Sequence, residues 1–92
     1  MQISGKKVHF IGIKGIGLSA LAQFFFWAGA KVTGSDGPEE LPSDIVLKRL
    51  KMPLTSFSPE NISSRLDLVI YSSAYNEEHP EIKKALLLKI PV

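Results

Sequence analysis

A turn carrying three glycines, Gly12-Ile13-Lys14-Gly15-Ile16-Gly17, lies between a short apolar run and a helical stretch. The run Val8-His9-Phe10-Ile11 is bounded by Lys7 and Gly12, and has the length and apolarity of a strand buried on both faces. Ile16 to Ala28 reads as a helix stopped by Gly29. A strand that turns on glycines directly into a helix is the opening of a parallel βαβ unit. It is also a ready anion cradle, because free backbone N–H groups and the positive helix end converge on one spot.

The rest of the chain repeats the alternation. Lys31-Val32-Thr33-Gly34 reads as a second strand, followed by the turn Ser35-Asp36-Gly37-Pro38. Asp44 to Leu50 is expected to be helical with Ser43 as its cap. Met52-Pro53-Leu54 is at best a short third strand, since proline is excluded from a central ladder. Asp67 to Tyr71 is a strong fourth strand, and Pro80 to Leu88 a third helix with proline in its first turn. Ile90-Pro91-Val92 opens a further element that the sequence does not finish. The expected fold is therefore α/β: a Rossmann-like three-layer domain with a parallel sheet of about four to five strands and right-handed crossovers. Ligands of such sheets bind beyond the carboxyl ends of the strands, which singles out Gly12–Gly17, Ser35–Asp36 and Ser72–Ala74.

At 92 residues the chain is one small domain, residues 1–92. Its 45% hydrophobic and 22% charged residues are globular in proportion, and a net charge of +2 gives no reason to expect nucleic acid as a partner. With no cysteine there is no disulfide, thiolate nucleophile or cysteine-ligated zinc, which fits a cytoplasmic protein. No secretory signal is visible, and the apolar run Leu18 to Ala30 is too short to span a bilayer, so no membrane association is expected.

Within the glycine turn, Gly12 and Gly17 fit the first and third glycines of G-x-G-x-x-G, but Lys14 stands at the second. That lysine counts against NAD, and no G-x-x-x-x-G-K-[ST] loop occurs. Asp36 follows Gly17 by 19 residues, where a dinucleotide fold places its ribose-binding acid; a plain turn residue is the bland alternative. Ser72 and Ser73 could hydrogen-bond a ligand or simply cap a turn. His9 reads as a core histidine, and His79 as helix-start chemistry at the surface. Phe24-Phe25-Phe26-Trp27 wraps around a helix and cannot all face one sheet. Either some of these rings pack on neighbouring helices, or they cover a surface shared with a partner, a homo-oligomer included. The residues leave open a phosphate-binding site, an NAD(P) or adenine nucleotide domain of a dehydrogenase or regulatory sensor, and a non-binding interaction module.

The segment His9-Phe10-Ile11-Gly12-Ile13-Lys14-Gly15-Ile16-Gly17-Leu18-Ser19-Ala20-Leu21-Ala22 resembles the opening motif of the Mur ligases, some of which carry lysine at the Lys14 position. Gly34-Ser35-Asp36, Pro59-Glu60-Asn61-Ile62, Asp67 to Ala74, His79-Pro80-Glu81-Ile82 and Ile90-Pro91-Val92 resemble further motifs of that family in the same order. Ser56-Phe57 stands where the family often carries Gly-His. The resemblance implies an N-terminal UDP-sugar-binding domain, with ATP-binding and C-terminal domains elsewhere. It implies an ATP- and Mg2+-dependent ligase of peptidoglycan synthesis that activates the carboxylate of UDP-N-acetylmuramate and joins it to L-alanine. On this reading Gly12, Ile13, Lys14, Gly15, Ile16 and Gly17 hold the pyrophosphate, and Ser35, Asp36, Ser72 and Ser73 the uridine. The 92 residues alone, which contain no ATP loop, are expected to be catalytically inactive and to need no cofactor.

Overall fold

Residues 2–92 are described by a computed structural model. Strand β1 (Lys7–Ile11) sends alternate side chains to opposite faces of the sheet, and both faces are filled. Val8 and Phe10 join a core with Ile13, Ala22, Ala30, Val32, Leu47 and Met52, while Ile11 joins Ile62, Val69, Ile82, Ala85 and Ile90 on the other side. The first core lies under helices α1 (Ile16–Trp27) and α2 (Ser43–Arg49), the second under α3 (Pro80–Leu87). The result is three layers around one sheet.

The sheet is wholly parallel, in the order β3-β2-β1-β4, with β2 at Lys31–Asp36, β3 at Leu54–Ser56 and β4 at Leu68–Tyr71. Register aligns Phe10 with Gly34 on one side and with Ile70 on the other. The order reverses at β1, whose neighbours β2 and β4 are reached by crossovers on opposite faces, the position at which ligands bind in sheets of this kind. Beyond β4 the Val69 amide donates to the Pro91 carbonyl (2.9 Å), so residues 90–92 lie alongside β4 in the fifth strand position.

Three boundaries differ from expectation. β2 runs on to Asp36, so Ser35 and Asp36 are strand residues; the Gly12 and Ile13 amides both donate to the Ser35 carbonyl (2.8 and 3.2 Å) and hold that end extended. β3 begins after Pro53, whose carbonyl accepts the Gly34 amide although its ring nitrogen can donate nothing. Ser43 lies inside α2 and does not cap it; the N-cap is Pro42, and the Ser43 hydroxyl donates to the Lys14 carbonyl (2.6 Å). Among the described residues no helix is long and apolar enough to cross a membrane.

Candidate functional site

Side chains from both edges of β1 meet at the carboxyl ends of the strands, where the glycine turn enters α1. Most amides of the turn are already committed. Gly12 and Ile13 donate to the Ser35 carbonyl, Lys14 to Asp36 Oδ2 (2.8 Å), and Gly15 to the Gly12 carbonyl (3.2 Å). The first backbone bond inside α1 runs from Ser19 to the Gly15 carbonyl (2.7 Å). Among the described residues the amides of Ile16, Gly17 and Leu18 thus keep free N–H groups, the usual complement of an uncapped helix start. Of the six residues expected to form a cradle, only Ile16 and Gly17 keep uncommitted amides.

The glycines divide the same way. Gly12 has φ +80, and a Cβ there would meet Tyr75 Cε2 at 2.7 Å, so the fold itself requires glycine. Gly15 has φ −59, and a Cβ on it would find only the Gly12 carbonyl at 3.5 Å; one on Gly17 would find nothing within 4 Å. Nothing in the packing asks for glycine at these last two positions.

Asp36 is half-buried and braces the turn. Its Oδ2 accepts the Lys14 amide and its Oδ1 the Gly37 amide (2.7 Å). Lys14 does not reach over the helix start. Its ammonium donates to the carbonyls of Glu39 (2.8 Å) and Gly37 (3.3 Å) and lies 3.3 Å from Asp44 Oδ1, a contact too poorly aligned to count as a hydrogen bond. Asp44 is held below its ordinary pKa chiefly by the Leu41 amide, which overcomes the opposing effect of burial, with Lys14 assisting. Lys14 therefore staples the 37–44 connection to the turn. A hollow of about 570 Å³ flanks this staple on the α1 side, walled by Gly15, Ile16, Ser19, Leu41 and Pro42. A smaller one of about 240 Å³ lies over the ends of β2 and β3, bounded by Asp36, Lys48 and Ser56.

Ser35 is fully buried and its hydroxyl donates to Glu81 Oε1 (2.8 Å), away from the strand ends. It is correspondingly removed from the uridine-contacting set, because a hydroxyl enclosed in the core cannot meet a ligand. Ser72 remains at the edge, its Oγ accepting the Ala74 amide (3.2 Å), and Ser73 is exposed beside it.

Beneath the site lies a buried polar knot. Glu81 Oε1 accepts from His9 Nε2 (2.8 Å) and Ser35; its Oε2 accepts from the Ser58 amide (3.0 Å) and Asn61 Nδ2 (3.1 Å). With Nε2 protonated toward the carboxylate, His9 Nδ1 accepts the Thr33 hydroxyl (2.7 Å). Burial pushes the Glu81 carboxyl up, but these four donors outweigh it and hold its pKa below the ordinary value. His9 is thus a satisfied core histidine, as its place in an apolar strand implies. His79 caps α3, its Nδ1 accepting the Glu81 amide (3.1 Å). Sequence reasoning did not single out Glu81 or Tyr75; the placement of Tyr75 directly after Ser-Ser-Ala at a strand end was the available signal.

Among the described residues no group of three histidine, aspartate or glutamate side chains converges as a metal site.

Comparison with known proteins agrees with this architecture. The family "Mur ligase family, catalytic domain" matches residues 7–92. The UDP-N-acetylmuramate–L-alanine ligase of Desulfitobacterium hafniense is 49% identical over 86 residues, covering 92% of this chain and 19% of that protein. The ligase of the same name from Treponema pallidum is 45% identical over 92 residues, covering 98% and 19%. The crystal structure of the UDP-N-acetylmuramate–alanine ligase of Thermotoga maritima superimposes with a TM-score of 0.83 at 38% identity, over 92% of this chain and 20% of that one. The chain spans about a fifth of the length of these relatives. A domain with this sheet order, this glycine turn and this run of matched residues belongs to the Mur ligase family.

Proposed function

We propose that this domain grips the UDP handle of UDP-N-acetylmuramate for a ligase that adds L-alanine to it. The observation that carries the reading is the pair Gly15 and Gly17. Both sit at the start of α1 with ordinary backbone angles or open space around them, beside three free amides. Bare backbone with no packing reason to be bare suits the close approach of a phosphate, which the helix end attracts. Asp36, Ser72 and Ser73 flank the end of β1 on either side and offer acceptors and hydroxyls to a nucleoside.

On this reading the domain contributes binding energy from a part of the substrate remote from the reacting carboxylate. That energy is spent on positioning the carboxylate in the rest of the ligase. The chain's own residues bind and orient, and the 92 residues by themselves form no amide bond.

Calorimetric titration of the purified chain with UDP, UDP-N-acetylmuramate and NAD tests the proposal. Binding of the two uridine compounds but not NAD is expected. NAD binding alone would make this a dinucleotide domain, and heat from none of the three would leave an interaction module. Gly17→Ala is the sharper probe. If the glycine served folding, alanine would cost stability; on the ligand reading it adds about 0.5–1 kcal/mol of helix stability. It should weaken UDP at least several-fold at the same time.

A further inference from the structure

The Tyr75 ring lies over Gly12 at the end of β1, next to the turn that follows β4. Its amide donates to the Ser72 carbonyl (3.0 Å), closing a tight turn after β4. The outer half of the ring rests on Gly12 at the end of β1, as the 2.7 Å approach of Cε2 to a Cβ built there records. Phe57 and His79 brace it edge-to-face, with centroids 5.4 and 5.1 Å away, and pack on each other at 4.5 Å. His79 is itself fixed by its bond from the Glu81 amide. The ring is thus half-buried and held in one orientation beside the strand-order reversal.

The chemistry around it selects which half of a nucleotide belongs there. The adjoining hollow of about 460 Å³ is lined by Tyr71, Asn76, Glu77 and Glu78 as well as Tyr75. Burial raises the pKa of the phenol first, and the charges of Asp36 and Glu39 raise it further, so it stays neutral near pH 7. Carboxylates on both sides repel a phosphate and tolerate an uncharged ring. The free amides suited to phosphate lie across the turn, at Ile16–Leu18.

We infer that Tyr75 is the stacking surface for the nucleoside half of the ligand, its ring lying against the base while the diphosphate lies at the start of α1. The inference rests on the nucleotide reading above and adds the residue on which the base stacks. Tyr75→Leu is expected to weaken UDP about tenfold, the scale of a lost base–aromatic contact. Tyr75→Phe keeps the ring and should stay within a few-fold of the parent. Nuclear Overhauser effects between the Tyr75 ring and uracil protons should appear in the UDP-saturated parent chain. If the parent does not bind UDP, the nucleotide reading fails and this inference with it. If the parent binds but Tyr75→Leu binds equally well, or no ring–uracil effect appears at saturation, the inference alone is overturned. Should Tyr75→Leu not fold, the parent's ring–uracil effect decides.

Discussion

Glu81 shows what a single buried carboxylate does in a domain this small. It satisfies two side chains on neighbouring strands, a loop amide and an asparagine, and is itself wholly enclosed. Glu81→Ala would leave His9 and Ser35 buried without the carboxylate that both donate to, and should cost about 3–5 kcal/mol in urea unfolding. The pH dependence follows from the lowered pKa. A carboxyl whose folded pKa lies below its unfolded value of 4.5 stabilises fully above that value. The contribution is lost as pH falls through the folded pKa, so acid unfolding should begin below about pH 4.5 and be blunted in Glu81→Gln. Lys14 behaves differently from a ligand-facing lysine. Because its ammonium closes the 37–44 connection, Lys14→Gly should loosen that segment, seen as faster amide exchange at Gly37 and Leu41. The sequence placed Lys14 inside the turn but carried no sign of where a four-carbon stem would lead. The same holds for Glu81, which lies 72 residues from His9 and reads locally as an ordinary first-turn acid.

The three helices end identically. Gly29, Lys51 and Lys89 all adopt left-handed φ values, +97, +58 and +57. The residue after each, Ala30, Met52 or Ile90, donates back to a carbonyl five positions earlier and is buried. This is the Schellman arrangement with its hydrophobic contact. It was legible at Gly29, where the residue type announces the conformation. At Lys51 and Lys89 it was not, because lysine pays a steric penalty in that region and does not advertise it. Lys51→Gly and Lys89→Gly should therefore each stabilise the domain by about 0.5–1 kcal/mol, measurable as a rise in Tm. Helix α1 was harder to read for a related reason. Phe25 and Phe26 turn inward, Phe25 meeting Phe10 edge-to-face at 5.6 Å, whereas Phe24 and Trp27 are 59% and 69% exposed. Four consecutive aromatics contain no periodicity, so their orientation came only from the helix's placement on the sheet. Phe24→Ser with Trp27→Ser should change stability by about 0.5 kcal/mol or less and reduce association at high concentration, read by sedimentation velocity.

For the molecule as a whole, strand and helix alternation was enough to read the class and the parallel sheet. Val8 to Ile11 and Leu68 to Ile70 are unambiguous because a strand buried on both faces must be almost continuously apolar. The finer anatomy of the site was hidden because it depends on which amides the fold itself consumes. Ser35 illustrates this: beside Asp36 it looked like a ligand hydroxyl, yet alternation along β2 turns it inward to Glu81. That inward knot also carries a consequence for biosynthesis. His9 and Ser35 leave the ribosome early, whereas Glu81 is translated near the end of these 92 residues. Until it emerges, His9 and Ser35 lack the carboxylate they share in the finished fold, an incomplete interior that can still open and re-register. Completion of the domain is thus tied to the arrival of α3, and a chaperone or protease that acts on the nascent chain meets an unfinished core until those residues emerge.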